Sequence, residues 1–350
     1  MKKLIYCFLL LSGLMLLVTG GGMYWGYQQI QNLANEPIQA QPEQLLTIER
    51  GTTGKKLGEF LQQQGLIKEA TFFPFLLRLQ PELSAVKAGT YSLNGITNLT
   101  ELLQLLVSGK EAQFSIRFGD GETYQQLQQT LQNAPHLQHQ LSEKSEAEIF
   151  DLLGLALDNG QTVKKLEGWI YPDTYHYVVN STDLALLQRA VRHTQQALDN
   201  AWQGRDKDLP LSNPYEMLIL ASIVEKETAL ESERPLVAAV FINRLKRKMR
   251  LQTDPTVIYG MGDAYQGNIR KRDLEQVTAY NTYQIDGLPP TPIAMPSEAS
   301  LQAVAHPATT TALYFVADGS GGHKFSNTLA EHNQAVQQYL KWLRSQKSGN

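Results

Sequence analysis

The chain has 350 residues and a formal net charge of −3. Apolar residues make up 42% of it and charged residues 19%, enough for about two domains with packed cores. This balance removes the electrostatic case for a nucleic-acid partner, which calls for a basic domain. The one cysteine, Cys7, lies in an apolar run near the N-terminus, so the body has no disulfide, thiolate nucleophile or cysteine metal cluster.

Residues 4–25 are read as a transmembrane anchor. LIYCFLLLSGLMLLV is almost wholly apolar, and the run continues through Gly20, Gly21 and Gly22 to Trp25. That is about the 20 residues needed to cross a hydrocarbon core, and Tyr24 and Trp25 suit its far interface. Lys2 and Lys3 precede the run and the next basic residue is Arg50. Positive charge stays inside, so residues 1–3 are assigned to the cytoplasm and the body to the other side. A cleaved signal peptide is the rival, since the three glycines leave room for a processing site.

Residues 28–44 are polar, carry Pro37 and Pro42, and read as a spacer. Residues 45–110 form a compact segment: a strand at LLTIERG, an amphipathic helix at LGEFLQQQGLI, a strand at KAGTYSL, and a helix from Leu99 that Thr97 or Asn98 caps and Gly109 stops. Residues 112–345 form the larger remainder. QFSIRF reads as a strand and YQQLQQTLQ as a helix, residues 143–166 look helical, and EGWIYPDTYHYVV reads as a loop leading into a strand. A long amphipathic helix covers Leu184 to Trp202. The fold class is mixed α+β.

NPYEMLILASIVEKETALESE, residues 213–233, starts a helix cleanly, with Asn213 at the N-cap, Pro214 in the first turn and Glu216 completing a capping box. At 100° per residue, Met217, Leu220, Ile223 and Val224 share one stripe and Glu227 falls within it, while Glu225 and Lys226 fall off it. Burial disfavours the charged form of a carboxyl. An acid kept protonated near neutral pH is what cleavage of a glycosidic bond requires, so phase singles out Glu227. The alternative is a solvated glutamate in the last turn.

PLVAAVFINRLKRKM forms a second helix that packs back on the first. In LQTDPTVIYGMG, Gln252, Thr253 and Asp254 gather hydrogen-bonding groups, Pro255 is taken to stop any helix, and the alternation suggests the edge of a cleft. YNTYQIDGLPPTPIAMP offers Tyr280, Asn281 and Tyr283 on a rigid loop of the kind a sugar site uses. Glu167, Tyr171 and Asp173 in the earlier aromatic loop are further candidates. For each, substrate binding and a structural role both remain open. SEASLQAVAHP reads as a helix capped by Ser297, LYFVA and HKF as a hairpin, and the last segment as a helix. His306, His323 and His332 lack metal-ligand spacing. Ser222 and Lys226 are four apart, whereas the acylating serine motif of penicillin-binding proteins uses three.

At ASIVEKET, VFINRL, MRLQTDPTVIYG, YNTY–GLPPTPI, AHPA–LYFVADGSGGHKF and EGWIYPDTY the sequence resembles the YceG-like, or MltG, family of endolytic lytic transglycosylases. The segment 45–110 is similar to that family's LysM-like small domain, which makes 112–345 the catalytic domain. The resemblance implies a single-pass protein of the bacterial inner membrane with a periplasmic body. It implies an enzyme that cuts nascent peptidoglycan between N-acetylmuramic acid and N-acetylglucosamine, leaves 1,6-anhydro ends, and so terminates strand elongation. The second glutamate of EKE, Glu227, matches the family's catalytic acid. No cofactor is implied, and the partners implied are glycan strands, the membrane and penicillin-binding synthases. A non-enzymatic wall-binding or scaffold protein is the competing reading.

Overall fold

The computed structural model describes residues 2–38, 40–156 and 163–348. It divides into two compact units, Met1–Phe114 and Ser115–Asn350, and the described residues mix helices with three two-stranded sheets.

The first unit opens with helix α1, Lys2–Ala34. Within it, Leu4–Ala34 is long and apolar enough to cross a membrane, and large side chains from Leu4 to Tyr27 lie exposed on its outside. The helix does not stop at residue 25, and residues 28–44 are not a free spacer. Ile30, Leu33, Ala34 and Ile38 are buried in the core of this unit. The segment is pinned to the start of α4 (Leu99–Ser108): Thr100 donates to the Ala34 carbonyl at 2.9 Å and the Ile38 amide to Thr97 at 3.0 Å. The polar composition of residues 28–44 conceals four apolar positions that meet the core, which is why the sequence reads as a spacer.

Strand β1 (Leu45–Ile48) pairs antiparallel with β2 (Gly89–Ser92). Between them lie α2 (Gly54–Gln63) and α3 (Phe73–Leu79). Sequence periodicity misses α3, a seven-residue helix around Pro74 that buries Phe73 and Leu76 but leaves Phe75 and Leu79 exposed. Helix α4 is capped by Asn98, whose side chain accepts from the Glu101 amide, and it ends at Gly109 in the left-handed region. Its Leu99, Leu102, Leu103 and Leu106 are fully buried, each contributing about 1.5–3 kcal/mol of transfer free energy.

In the second unit β3 (Gln113–Arg117) pairs with β4 (Thr174–Val178). Helix α5 (Tyr124–Gln132) starts at a Thr123–Gln126 capping box. Of the helix expected over 143–166, the structure has α6, Glu146–Leu152; residues 157–162 lie outside the described set. Four helices then pack together: α7 (Asp183–Gly204), α8 (Pro214–Glu227), α9 (Arg234–Lys246) and, from later in the chain, α12 (Glu298–Ala305). Helix α10 (Asp254–Met261) packs on α8. Pro255, expected to stop a helix, lies in the first turn of α10, where the missing amide has no intrahelical acceptor to lose. Helix α11 spans Lys271–Glu275, strands β5 (Tyr314–Ala317) and β6 (His323–Ser326) form an antiparallel hairpin, and α13 (Leu329–Ser348) packs on them.

Gly168 ties the aromatic loop to this assembly. Its φ is +82°, and a Cβ there would fall 2.6 Å from the Pro292 ring. Gly168→Ala therefore meets both backbone strain and a clash, and is expected to lose about 1–3 kcal/mol, read from the urea midpoint of the full-length chain's unfolding.

Candidate active site

Helix α8 sets the site. The Asn213 side chain accepts from the Glu216 amide at 2.9 Å, and Glu216 accepts from the Ser212 amide at 2.7 Å, which fixes the start of the helix. Every residue from Met217 to Val224 is buried. The helix is therefore surrounded, not amphipathic, and one stripe does not distinguish its last residues. Glu225, placed off the stripe by phase, is withdrawn from water too, with 6% of its side chain exposed. It accepts from the Ser297 amide, the Ser297 hydroxyl and the Ser300 hydroxyl, and lies 3.7 Å from Arg234. That carboxylate is fully occupied in holding the start of α12 to α8. Ser222 is likewise used up, donating to the Ile219 carbonyl and accepting from the Ile293 amide, so it offers no nucleophile.

Glu227 differs in its partners. As the last residue of α8, it has one side-chain hydrogen bond among the described residues, from the Thr253 hydroxyl to Oε1, and it opens into a cleft of about 330 Å³. Burial pushes its carboxyl up to about 7, with Asp254 nearby adding to the rise. The Thr253 bond and the proximity of His323 act in the opposite direction. The carbonyl end of a buried helix also disfavours negative charge. The group is thus poised to hold or release a proton near neutrality.

The floor of the cleft is a knot of buried hydroxyls. The Thr253 amide donates to Thr282 Oγ1 at 3.0 Å, Thr256 donates to the Thr253 carbonyl at 2.8 Å, and Thr256 and Thr282 share a 2.8 Å bond. The Gln252 amide donates to the Thr282 carbonyl while its φ is +50°, a conformation non-glycine residues seldom adopt. Gln252, Thr253 and Asp254 are thereby turned into the cleft beside Glu227. Tyr283 completes this wall, its hydroxyl donating to Asp254 Oδ1 at 2.7 Å. Burial, with Asp254 adding to it, pushes the Tyr283 phenol well above its usual range, so it remains a donor.

Other candidates lie elsewhere. Asn281 is 1% exposed. Its amide donates to the carbonyls of Asp273, Leu274 and Gln276 and its oxygen accepts from the Tyr283 amide, so it shapes the loop that carries Tyr283. Tyr280 bonds Thr291 at 2.8 Å and meets the Tyr259 ring edge-on. Glu167 is buried, accepts from the Tyr124 amide at 2.9 Å, and lines a separate cavity with Tyr259. Burial pushes its carboxyl up to about 7. Tyr171 donates to Glu298 at 3.2 Å and stacks on His193. Asp173 accepts from the Thr174 amide at 2.6 Å.

Sequence reasoning misses further lining of the cleft by Arg244, Tyr314, Phe315 and His332. Arg244 carries a readable signal: it closely follows VAAVFI, a run without charge, as Glu227 ends its own. Also missed is a clamp behind Glu227. Glu233 accepts from the His323 amide at 2.8 Å, from its Nδ1 at 2.7 Å, and from the hydroxyl of Thr228, the residue after Glu227. It ties the β5–β6 hairpin to the end of α8.

The profile of the YceG-like family matches residues 46–338, most of the chain. The chain belongs to the YceG-like family. It is 29% identical to the endolytic murein transglycosylase of Bacillus subtilis (strain 168), over 93% of this chain and 91% of the relative. It is 28% identical to the endolytic murein transglycosylase of Streptococcus pneumoniae serotype 2, again over 93% of this chain but 63% of that longer protein. A 2.6 Å crystal structure of a YceG-like protein from Listeria monocytogenes matches with a TM-score of 0.53 and 27% identity, covering 83% of this chain and 98% of that one. The resemblance carried by EKET, LQTDPTVIYG and the hairpin motif is thus a family membership.

The raised Glu227 pKa has a consequence for stability. Folding disfavours the ionised form, so this contribution is fully present below 4.5, the ordinary value, and is lost as pH rises through about 7. Glu227→Gln is expected to gain stability over wild type at pH 8 and not at pH 4, with denaturant midpoints as the readout. Thr253→Val removes the donor that favours the carboxylate and should move the Glu227 titration upward, seen in the carboxyl carbon resonance.

Proposed function

We propose that the chain is an endolytic murein transglycosylase in which Glu227 is the catalytic acid and base. As a member of its family it is a lytic transglycosylase. The observation that carries the residue assignment is the contrast at the end of α8. Of two nearby withdrawn glutamates, Glu225 is saturated with donors, while Glu227 has a single hydroxyl and faces a cleft.

In this reading protonated Glu227 donates to the glycosidic oxygen between N-acetylmuramic acid and N-acetylglucosamine. The C1–O bond breaks and positive charge develops at C1 and the ring oxygen. The C6 hydroxyl of the same muramic residue attacks C1, and Glu227, now ionised, takes its proton. The products are a 1,6-anhydro end and a new terminal hydroxyl, with no water consumed and Glu227 restored. One carboxyl suffices because the nucleophile belongs to the substrate, unlike the paired carboxylates of hydrolytic enzymes. Thr253 stabilises the ionised form between the two transfers. Asp254, held by Tyr283, supplies a second negative charge next to the developing cation.

Helix α1 serves as the membrane anchor, with residues 1–3 cytoplasmic and the body periplasmic, as the distribution of lysines and arginines requires. The small unit, two strands enclosing two helices, acts as the LysM-like module that holds glycan. Cutting within nascent strands would end their elongation beside the synthases that make them. The scaffold reading is not favoured, because a scaffold has no need of a desolvated glutamate with one donor.

Mass spectrometry of strands incubated with the protein tests the reaction. Anhydromuramic ends are expected from wild type, with loss of about 10²–10⁴-fold in rate for Glu227→Gln. Reducing muramic ends in their place would mean that water, not the C6 hydroxyl, attacks. Because the acid must start protonated, kcat/KM should fall as pH rises through about 7.

A further inference from the structure

The cleft that Glu227 opens into is also lined by a cation without an anion. Arg244 is 7% exposed. Its Nε donates to the Leu313 carbonyl at 2.7 Å, and its Nη1 is shared among the carbonyls of Arg250 and Leu251 and the Gln252 side chain at 2.9–3.1 Å. All four acceptors are neutral. Among the described residues the guanidinium has no carboxylate partner, and Nη2 has no protein acceptor although it is not sealed from solvent. The guanidinium lies 5.0 Å over the Tyr314 ring, whose other neighbour is the stacked imidazole of His332 at 5.2 Å. Aromatic contact and the three backbone acceptors fix the fork in one orientation.

A desolvated charge normally has a counter-charge or is replaced, since burial without one is costly. The carboxylates of the cleft do not fill that role. Asp254 is taken by Tyr283 and Glu227 by Thr253, and the groups that face Arg244 besides its carbonyl acceptors, the Tyr314 and Tyr283 phenols, are neutral. His332 adds no positive charge of its own, because burial and Arg244 lower its pKa. The described lining of the cleft therefore holds two carboxyls, Glu227 and Asp254, and one guanidinium, Arg244.

We infer that Arg244 is an anion subsite that binds a carboxylate of the substrate strand through its free Nη2 edge while Glu227 meets the glycosidic oxygen. This rests on the murein reading of the same cleft. Murein offers that chemistry from two sources: the lactyl acid of muramic acid where the stem has been removed, and the carboxylates of the peptide stem where it is present. The arrangement makes Arg244 a specificity determinant, selecting which bonds along the strand are presented to the acid.

The test changes the substrate, so it does not depend on a variant folding. Stem-bearing and denuded strands are each prepared with carboxylates free and with carboxylates converted to methylamides. Binding is measured by co-sedimentation with the full-length Glu227→Gln chain in detergent, and KM with wild type. Neutralisation is expected to weaken binding and raise KM by roughly tenfold or more, the size of a charge-assisted hydrogen bond, and the effect should shrink in high salt. In Arg244→Gln, charged and neutral strands should bind alike. An effect confined to denuded strands identifies the lactyl acid, and one confined to stem-bearing strands identifies the stem. Equal binding of charged and neutralised strands in both forms overturns the subsite. Absence of cleavage of every strand by wild type would instead overturn the murein reaction, and the binding measurement would still decide on Arg244.

Discussion

The single hydrogen bond between Thr253 and Glu227 joins the end of one helix to the start of another, and the larger unit is arranged around it. Helix α8 is buried on every face, so its terminal carboxyl emerges into a space walled by protein. Left without a donor, that carboxyl would stay protonated and could not accept a proton back. With several donors its ionised form would be favoured and it could not readily give one. One hydroxyl leaves it between these limits. Thr253 is in turn fixed by Thr282 and Thr256, and its position opens α10 at Pro255. The chemistry of one side chain thus depends on how two helix ends and a threonine knot meet.

Much of this is legible in the chain and some is not. Helix starts can be read wherever capping chemistry is local: Asn98, Asn213 and Ser297 each accept the amide their position predicts. Pro255 misleads because its effect depends on whether it falls in a first turn or an interior, and sequence alone does not say where a turn begins. Helical phase selects the residue at the end of α8 for a reason that the structure does not support, since Glu225 and Glu227 are both withdrawn from water. The difference between them is who donates to each, and those donors come from residues 26 and 72–75 positions later in the chain. Contacts of that separation leave no periodic trace.

The same limit explains the binding candidates. Gln252, Thr253, Asp254 and Tyr283 reach the cleft, whereas Asn281, from the same motif as Tyr283, spends its amide inside its own loop. Motif membership identifies the loop, but only the direction of each side chain decides which members face outward. Arg244 and the Glu233–His323 clamp belong to segments that read as ordinary packing and hairpin. What sets them apart is charge accounting in three dimensions: among the described residues Arg244 has neutral acceptors and no carboxylate, and Glu233 serves three donors.

Helix α1 carries a mechanical implication. Its 33 residues extend about 50 Å at 1.5 Å per residue, whereas a bilayer core takes up about 20 residues. The remaining turns enter the small unit as part of its core, with no glycine or proline joint between Trp25 and Ala34 other than Gly26. Read as a span, α1 is a strut and not a tether. In that reading it sets the stand-off of the β1–β2 sheet from the lipid surface to within a turn or so. A change in bilayer thickness that tilts the helix would tilt that sheet by the same angle.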